Sequence, residues 1–146
     1  MGRVLGVDLG SRRIGLALSD PTGTVASPYE VLTRTGDRAA DHRAIVAAAR
    51  EEEAVRIVVG LPLSLSGGDG PAARGVRAEA EELREVAGPD LPVELHDERL
   101  TTVTAQRALK DGKMRRGDRR RVVDKVAAAV MLQSYLERRG GSSDQR

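Results

Sequence analysis

The stretch Val7–Asp20, VDLGSRRIGLALSD, decides the fold. The apolar runs Val4–Val7 and Ile14–Leu18 predict neighbouring strands, and the short GSRR turn between them favours antiparallel pairing. Asp8 stands at the tip of the first strand, where the pattern predicts another buried apolar side chain. A charge in that place needs a reason. Downstream, DPTG supplies turn formers, and a third strand is predicted over about Val25–Leu32.

Farther along, DRAADHRAIVAAAREEEA predicts a helix with Ile45 and Val46 inward, and VRIVVG is apolar enough for a strand covered on both faces. LPLSLSGGDGP reads as a loop. A helix should start at Pro71 and run to about Val86, because proline suits the first turn. LPVELHDE predicts another strand, TTVTAQRALKDG a short helix with Gly112 past its end, and KMRRGDRRR a basic connector. Val122–Arg138 predicts the last helix. The order is βββαβαβαα, so parallel strands joined by right-handed crossovers extend an antiparallel trio. An α/β fold with a mixed sheet between helices is expected. One domain should span residues 1–138, and residues 139–146 should be a disordered tail.

Composition narrows the chemistry. The chain has 146 residues, enough for one domain with its own core. It lacks cysteine and has only two histidines, which excludes disulfides, thiol catalysis and conventional zinc sites. Tyr29 and Tyr135 are the only aromatics, so any grip on nucleic acid must be mainly electrostatic. A net charge of +2 is too small to argue a partner by itself. With no signal-peptide pattern and no apolar run of membrane-spanning length, a cytoplasmic protein is expected.

In sheets with parallel strands, ligands gather beyond the strands' carboxyl ends. Asp8 ends the first strand, and Asp97 and Glu98 end the last. Asp124 shares a helical face with Ala127, Ala128, Met131 and Tyr135, a face that should pack on the sheet. Acids gathered this way repel unless a cation sits among them. Hard oxygen donors select magnesium or manganese. Two such ions about 4 Å apart would activate water and stabilise the leaving oxygen of a phosphodiester. Each acid also has a plain reading: Asp8 as a turn cap, Asp97 or Glu98 paired with Arg99 or capping a helix, and Asp124 as a helix-start acid. His96 reads as a structural histidine.

Lys113, Arg115, Arg116, Arg119, Arg120, Arg121 and Lys125 cluster around Asp124, and Arg12 and Arg13 occupy the turn after Asp8. Such runs are often solvated faces. Beside a metal site, phosphate contact is the stronger reading, with recognition by backbone shape and not base sequence.

Together, VDLGSRRIGLALSD, IVVGLPLSLSGG, HDERLTT and VVDKVAAAVMLQSYL resemble the YqgF/RuvX family over about residues 3–138. Its members are known as Holliday junction resolvases and as nucleases maturing precursor 16S ribosomal RNA. The resemblance implies a ribonuclease H-like fold with a mixed five-stranded sheet, its first three strands antiparallel and the others parallel. It puts the family's acids on Asp8, Asp97, Glu98 and Asp124. Alternation sets Asp97 and Glu98 on opposite sides of their strand, and Glu98 is the expected ligand. A metal-dependent endonuclease acting on ribosomal RNA precursor, or on branched DNA, is therefore expected, as a monomer or homodimer. A non-catalytic RNA-binding assembly factor is the alternative of another class. DLGSRRIGLAL also resembles the phosphate-binding hairpin of the actin and sugar-kinase superfamily, which would imply an ATP-dependent phosphotransferase. That superfamily places two such domains around the nucleotide, and this sequence predicts one domain with no second Asp-x-Gly hairpin.

Overall fold

Strands apolar on both faces organise this chain. The computed structural model describes residues 2–63, 68–98 and 116–144, with side chains in the last segment described over 123–139. The strands are β1 (Arg3–Leu9), β2 (Arg13–Ser19), β3 (Ala26–Thr33), β4 (Ala54–Leu61) and β5 (Val93–Asp97). They form one five-stranded sheet in the order β3-β2-β1-β4-β5. The β1–β2 and β2–β3 pairs are antiparallel, and β1–β4 and β4–β5 are parallel. This is the mixed sheet the sequence predicts.

Alternation splits the core into two layers. Leu5, Val7, Ile14, Leu16, Ile57 and Val59 face α1 (Arg38–Glu51) and α2 (Pro71–Ala87), meeting Ile45, Val76 and Leu83 there. Val4, Ala17 and Val58 face the other way, onto Ala128, Met131, Leu132 and Tyr135 of α3 (Arg116–Asp144). Ala128, Met131 and Tyr135 confirm the inward face expected of the last helix, while Ala127 is half-buried. Met131 and Leu132 are fully buried, and each stabilises the packing by about 2 kcal/mol.

Local signals set most boundaries. Asp37 caps α1, its Oδ1 accepting from the Ala40 amide at 3.2 Å. Pro71 opens α2, and Gly88 follows it with φ 84°. The last helix differs from expectation at both ends. It begins at Arg116, so Arg116–Arg121 form helical turns and not a connector. Arginine is a good helix former, and one glycine, Gly117, costs only about 1 kcal/mol. At the other end α3 runs to Asp144, through residues expected to be a disordered tail. Extending a formed helix costs far less than nucleating one. The short helix predicted over 101–112 and loop residues 64–67 lie outside the described residues.

Candidate active site

The site forms where β1, β4 and β5 end. Asp8 is opposite Gly15 in the β1–β2 register. On its other side, one step beyond the Val7–Val59 pair, lies Gly60 of β4. Asp8 is thus flanked by two residues without side chains, and each opening is filled by a part of a second acid. A Cβ on Gly15 would collide with the backbone carbonyl of Asp124, so α3 lies directly on β2 there. A Cβ on Gly60 would collide with the Glu98 carboxylate, which lies over β4 on the same face as Met131.

β5 does not neighbour β1; it is the sheet edge, with β4 between them. Two strand spacings, about 10 Å, separate β5 from β1. Glu98 spans part of that gap by folding across Gly60. Its amide is tied to the Leu61 carbonyl at 3.3 Å, continuing the strand's path. Asp97 follows Leu95, which packs on the α1/α2 layer, so alternation turns Asp97 away from α3. One residue back from Asp97, His96 is on the α3 face, its Nε2 3.1 Å from Ser134 Oγ and its ring edge-on to Tyr135.

Electrostatics record the crowding. Burial, then the charge of Asp124, raises the Asp8 pKa from 3.8 to about 6. Burial, then Asp8 and Asp97, raises that of Glu98 from 4.5 to about 7. Both groups bind protons more tightly folded than unfolded, so stability falls as pH rises from about 4 to about 7. Each shift corresponds to about 3 kcal/mol at most, and the two are coupled. In a chelating buffer, the urea midpoint of the chain relative to an Asp8→Asn variant should drop between pH 5 and pH 7.5. Equal midpoint differences at both pH values would refute the assignment.

Asp124 has a partner of its own. Arg13, expected at a phosphate, donates from Nε to Asp124 Oδ2 at 2.6 Å. Among the described residues, no three His, Cys, Asp or Glu side chains are drawn together closely enough to enclose an ion as they stand. The donor chemistry nevertheless fits a divalent cation. Carboxylate oxygens on one face, two of them raised toward protonation, are groups whose ionisation such a cation would favour.

Arg12 projects into solvent, and Lys125 is half-buried beside Asp124. Arg116, Arg119, Arg120 and Arg121 lie in the first turns of α3, which lead to Asp124. Lys113 and Arg115 lie outside the described residues.

One hydrogen-bonded ion-pair network beside the candidate site has no local signature in the sequence. Arg34 donates from Nε to the Gly10 carbonyl at 2.7 Å and from both terminal nitrogens to Glu79 at 2.9 Å. His42 Nε2 meets the same carboxylate at 2.8 Å. Arg34 thereby ties the turn after Asp8 to both helices of the opposite layer. A basic residue just past a strand carries no pattern that distinguishes a brace from a solvated charge.

The two glycines give separable predictions. Gly60→Ala should push the Glu98 carboxylate aside, lowering activity at least about tenfold while costing about 1 kcal/mol, because a side chain yields more easily than backbone. Gly15→Ala meets backbone and should cost about 2–3 kcal/mol as α3 lifts. Urea denaturation beside an activity assay checks both, and a larger stability loss for Gly60→Ala would contradict the assignment.

Residues 2–138 match the family described as "RuvX: Holliday junction resolvase". A "Putative pre-16S rRNA nuclease" of Mycobacteroides abscessus is 44% identical over 138 residues, covering 94% of this chain and 82% of that one. A protein of the same name from Streptomyces avermitilis is 46% identical over 136 residues, covering 93% and 86%. Among solved structures, T. thermophilus RuvC in complex with Holliday junction substrate aligns over 97% of this chain and 98% of its own, with TM-score 0.53 and 16% identity. That likeness concerns the fold, which is ribonuclease H-like. With Asp8, Glu98 and Asp124 around two glycines, and a match from one end of the fold to the other, the chain belongs to the RuvX family.

Proposed function

We propose that this chain is a divalent-metal-dependent endonuclease that processes the 5′ end of precursor 16S ribosomal RNA. The observation that carries this reading is the convergence of Asp124 and Glu98 on the glycines either side of Asp8. Curated relatives named for that RNA cover most of the chain. Asp8, Glu98 and Asp124 would hold magnesium or manganese, and Asp97 would act from behind β5 to orient Glu98. Two bound ions would supply an activated water and stabilisation of the leaving oxygen. The chain's own part is to hold the carboxylates in register and keep their negative charge on one face of the sheet.

Arg12, Arg13, Lys125 and the arginines opening α3, with Lys113 and Arg115, would contact phosphates. Such contacts set position on the strand and carry no base code. Ribosome assembly places the work in the cytoplasm; no described helix is long and apolar enough to cross a membrane.

The family description and the RuvC neighbour support a second reading, cleavage of branched DNA. Symmetric cutting of a four-way junction requires two sites related by a two-fold axis, so it requires a homodimer, whereas RNA processing needs only a monomer. Purified protein incubated with precursor 16S RNA or a four-way DNA junction, with manganese, separates these readings. RNA cleavage that stops in Asp8→Asn supports the proposal. Junction cleavage alone favours the second reading, and RNA binding without cutting would make the chain a non-catalytic assembly factor. Magnesium or manganese should also raise the melting temperature at pH 7.5 and much less at pH 5, where the acids are more protonated.

A further inference from the structure

We propose that Arg13 and a divalent ion compete for Asp124, and that a phosphate of the nucleic acid settles the competition by drawing Arg13 away. The inference rests on the metal-site reading above and adds a coupling between metal and nucleic acid. Arg13 Nε approaches Asp124 Oδ2 at 2.6 Å, and the two side chains are only 25% and 21% exposed. A guanidinium so placed sets a positive charge where the acid cluster would receive a cation. Two cations on one carboxylate repel, so occupancy by one weakens occupancy by the other.

The backbone lets the side chain change partners. Arg13 is the first residue of β2, paired with Thr33, and its carbonyl accepts from the Gly10 amide at 3.0 Å. The main chain is held and the side chain alone must swing. It stands at the rim beside the exposed Arg12, where a nucleic-acid strand would approach the acids. Arginine suits phosphate as well as carboxylate, because its planar fork matches both. Exchanging Asp124 for a phosphate therefore keeps the guanidinium partnered and returns an ionised oxygen to the acid cluster. By linkage, nucleic acid then raises metal affinity, and metal raises nucleic-acid affinity by the same factor.

Calorimetric titration of manganese into the full chain, alone and with a phosphorothioate RNA hairpin that resists cutting, tests the exchange without measuring activity. Alone, Arg13→Gln should bind manganese about tenfold tighter than the parent chain, within the usual range of coupling energies. Arg12→Gln removes the same charge from the same turn but not the contact, and should change affinity only about twofold, as a screened surface charge does. The hairpin should tighten manganese binding about tenfold in the parent chain and leave Arg13→Gln unchanged. Equal shifts in Arg12→Gln and Arg13→Gln, or an undiminished hairpin effect in Arg13→Gln, would overturn the proposal. If Arg13→Gln fails to fold, Arg13→Lys serves instead: its compact, strongly hydrated ammonium should hold Asp124 less well and give a gain of about threefold, and no gain counts against the exchange. Manganese binding indifferent to Asp8→Asn would remove the metal site itself. Binding that depends on Asp8 but ignores Arg13 would remove only the exchange.

Discussion

Asp8→Asn will abolish cleavage and, in chelating buffer at pH 7.5, make the chain more stable. The two effects have one cause. Asp8 is centred between Asp124 and Glu98, and burial together with Asp124 lifts its pKa from 3.8 to about 6. Holding it ionised at neutral pH therefore costs the folded state up to about 3 kcal/mol. Asparagine keeps the shape and removes the charge, so folding should gain about 1–3 kcal/mol. The same change takes a central anionic oxygen from the proposed metal site. Loss of at least about a thousandfold in rate, near 4 kcal/mol of barrier, is expected. Urea denaturation and an RNA cleavage assay on the same sample check both halves. An Asp8→Asn protein that loses stability and activity together would show that Asp8 is a structural acid.

Arg34→Met should destabilise the chain by about 3–5 kcal/mol, the range for breaking one side of a buried ion pair. Glu79 is 6% exposed and His42 1% exposed. Burial acts to raise the Glu79 pKa, but hydrogen bonds from Arg34 and His42, with the charges of Arg34 and Arg38, outweigh it and hold the carboxyl low. Removing Arg34 leaves that carboxylate buried with much of its compensation gone. The melting temperature should fall by about 10 °C. Activity should fall as well, since the Gly10 carbonyl, two residues from Asp8, loses its donor. A double variant, Arg34→Met with Glu79→Gln, should recover part of the stability because the stranded charge is gone. Thermal unfolding of both proteins is the measurement. A single variant within about 1 kcal/mol of the parent would mean the network is surface decoration.

The acids themselves were legible in the sequence. Alternation and apolar runs placed Asp8 and Glu98 at strand ends, and helical periodicity placed Asp124 on the inward face with Ala128, Met131 and Tyr135. These are local patterns, with repeats of two and 3.6 residues, and they survive folding because each element buries its own apolar face. The two-layer core and the mixed sheet follow from the same signals. The four motif segments added the family, since their order along the chain matches it.

What only the tertiary structure decided is lateral position and partner choice. Crossovers put β4 between β1 and β5, so the glycine at position 60 became the notch that Glu98 crosses. The approach of α3 made Gly15 the floor beneath Asp124. Arg13 met Asp124 across 111 positions of sequence, and Arg34 met Glu79 across 45. No local period encodes such meetings. They arise when whole layers pack, and a charged side chain then takes whichever opposite charge the packing brings within reach.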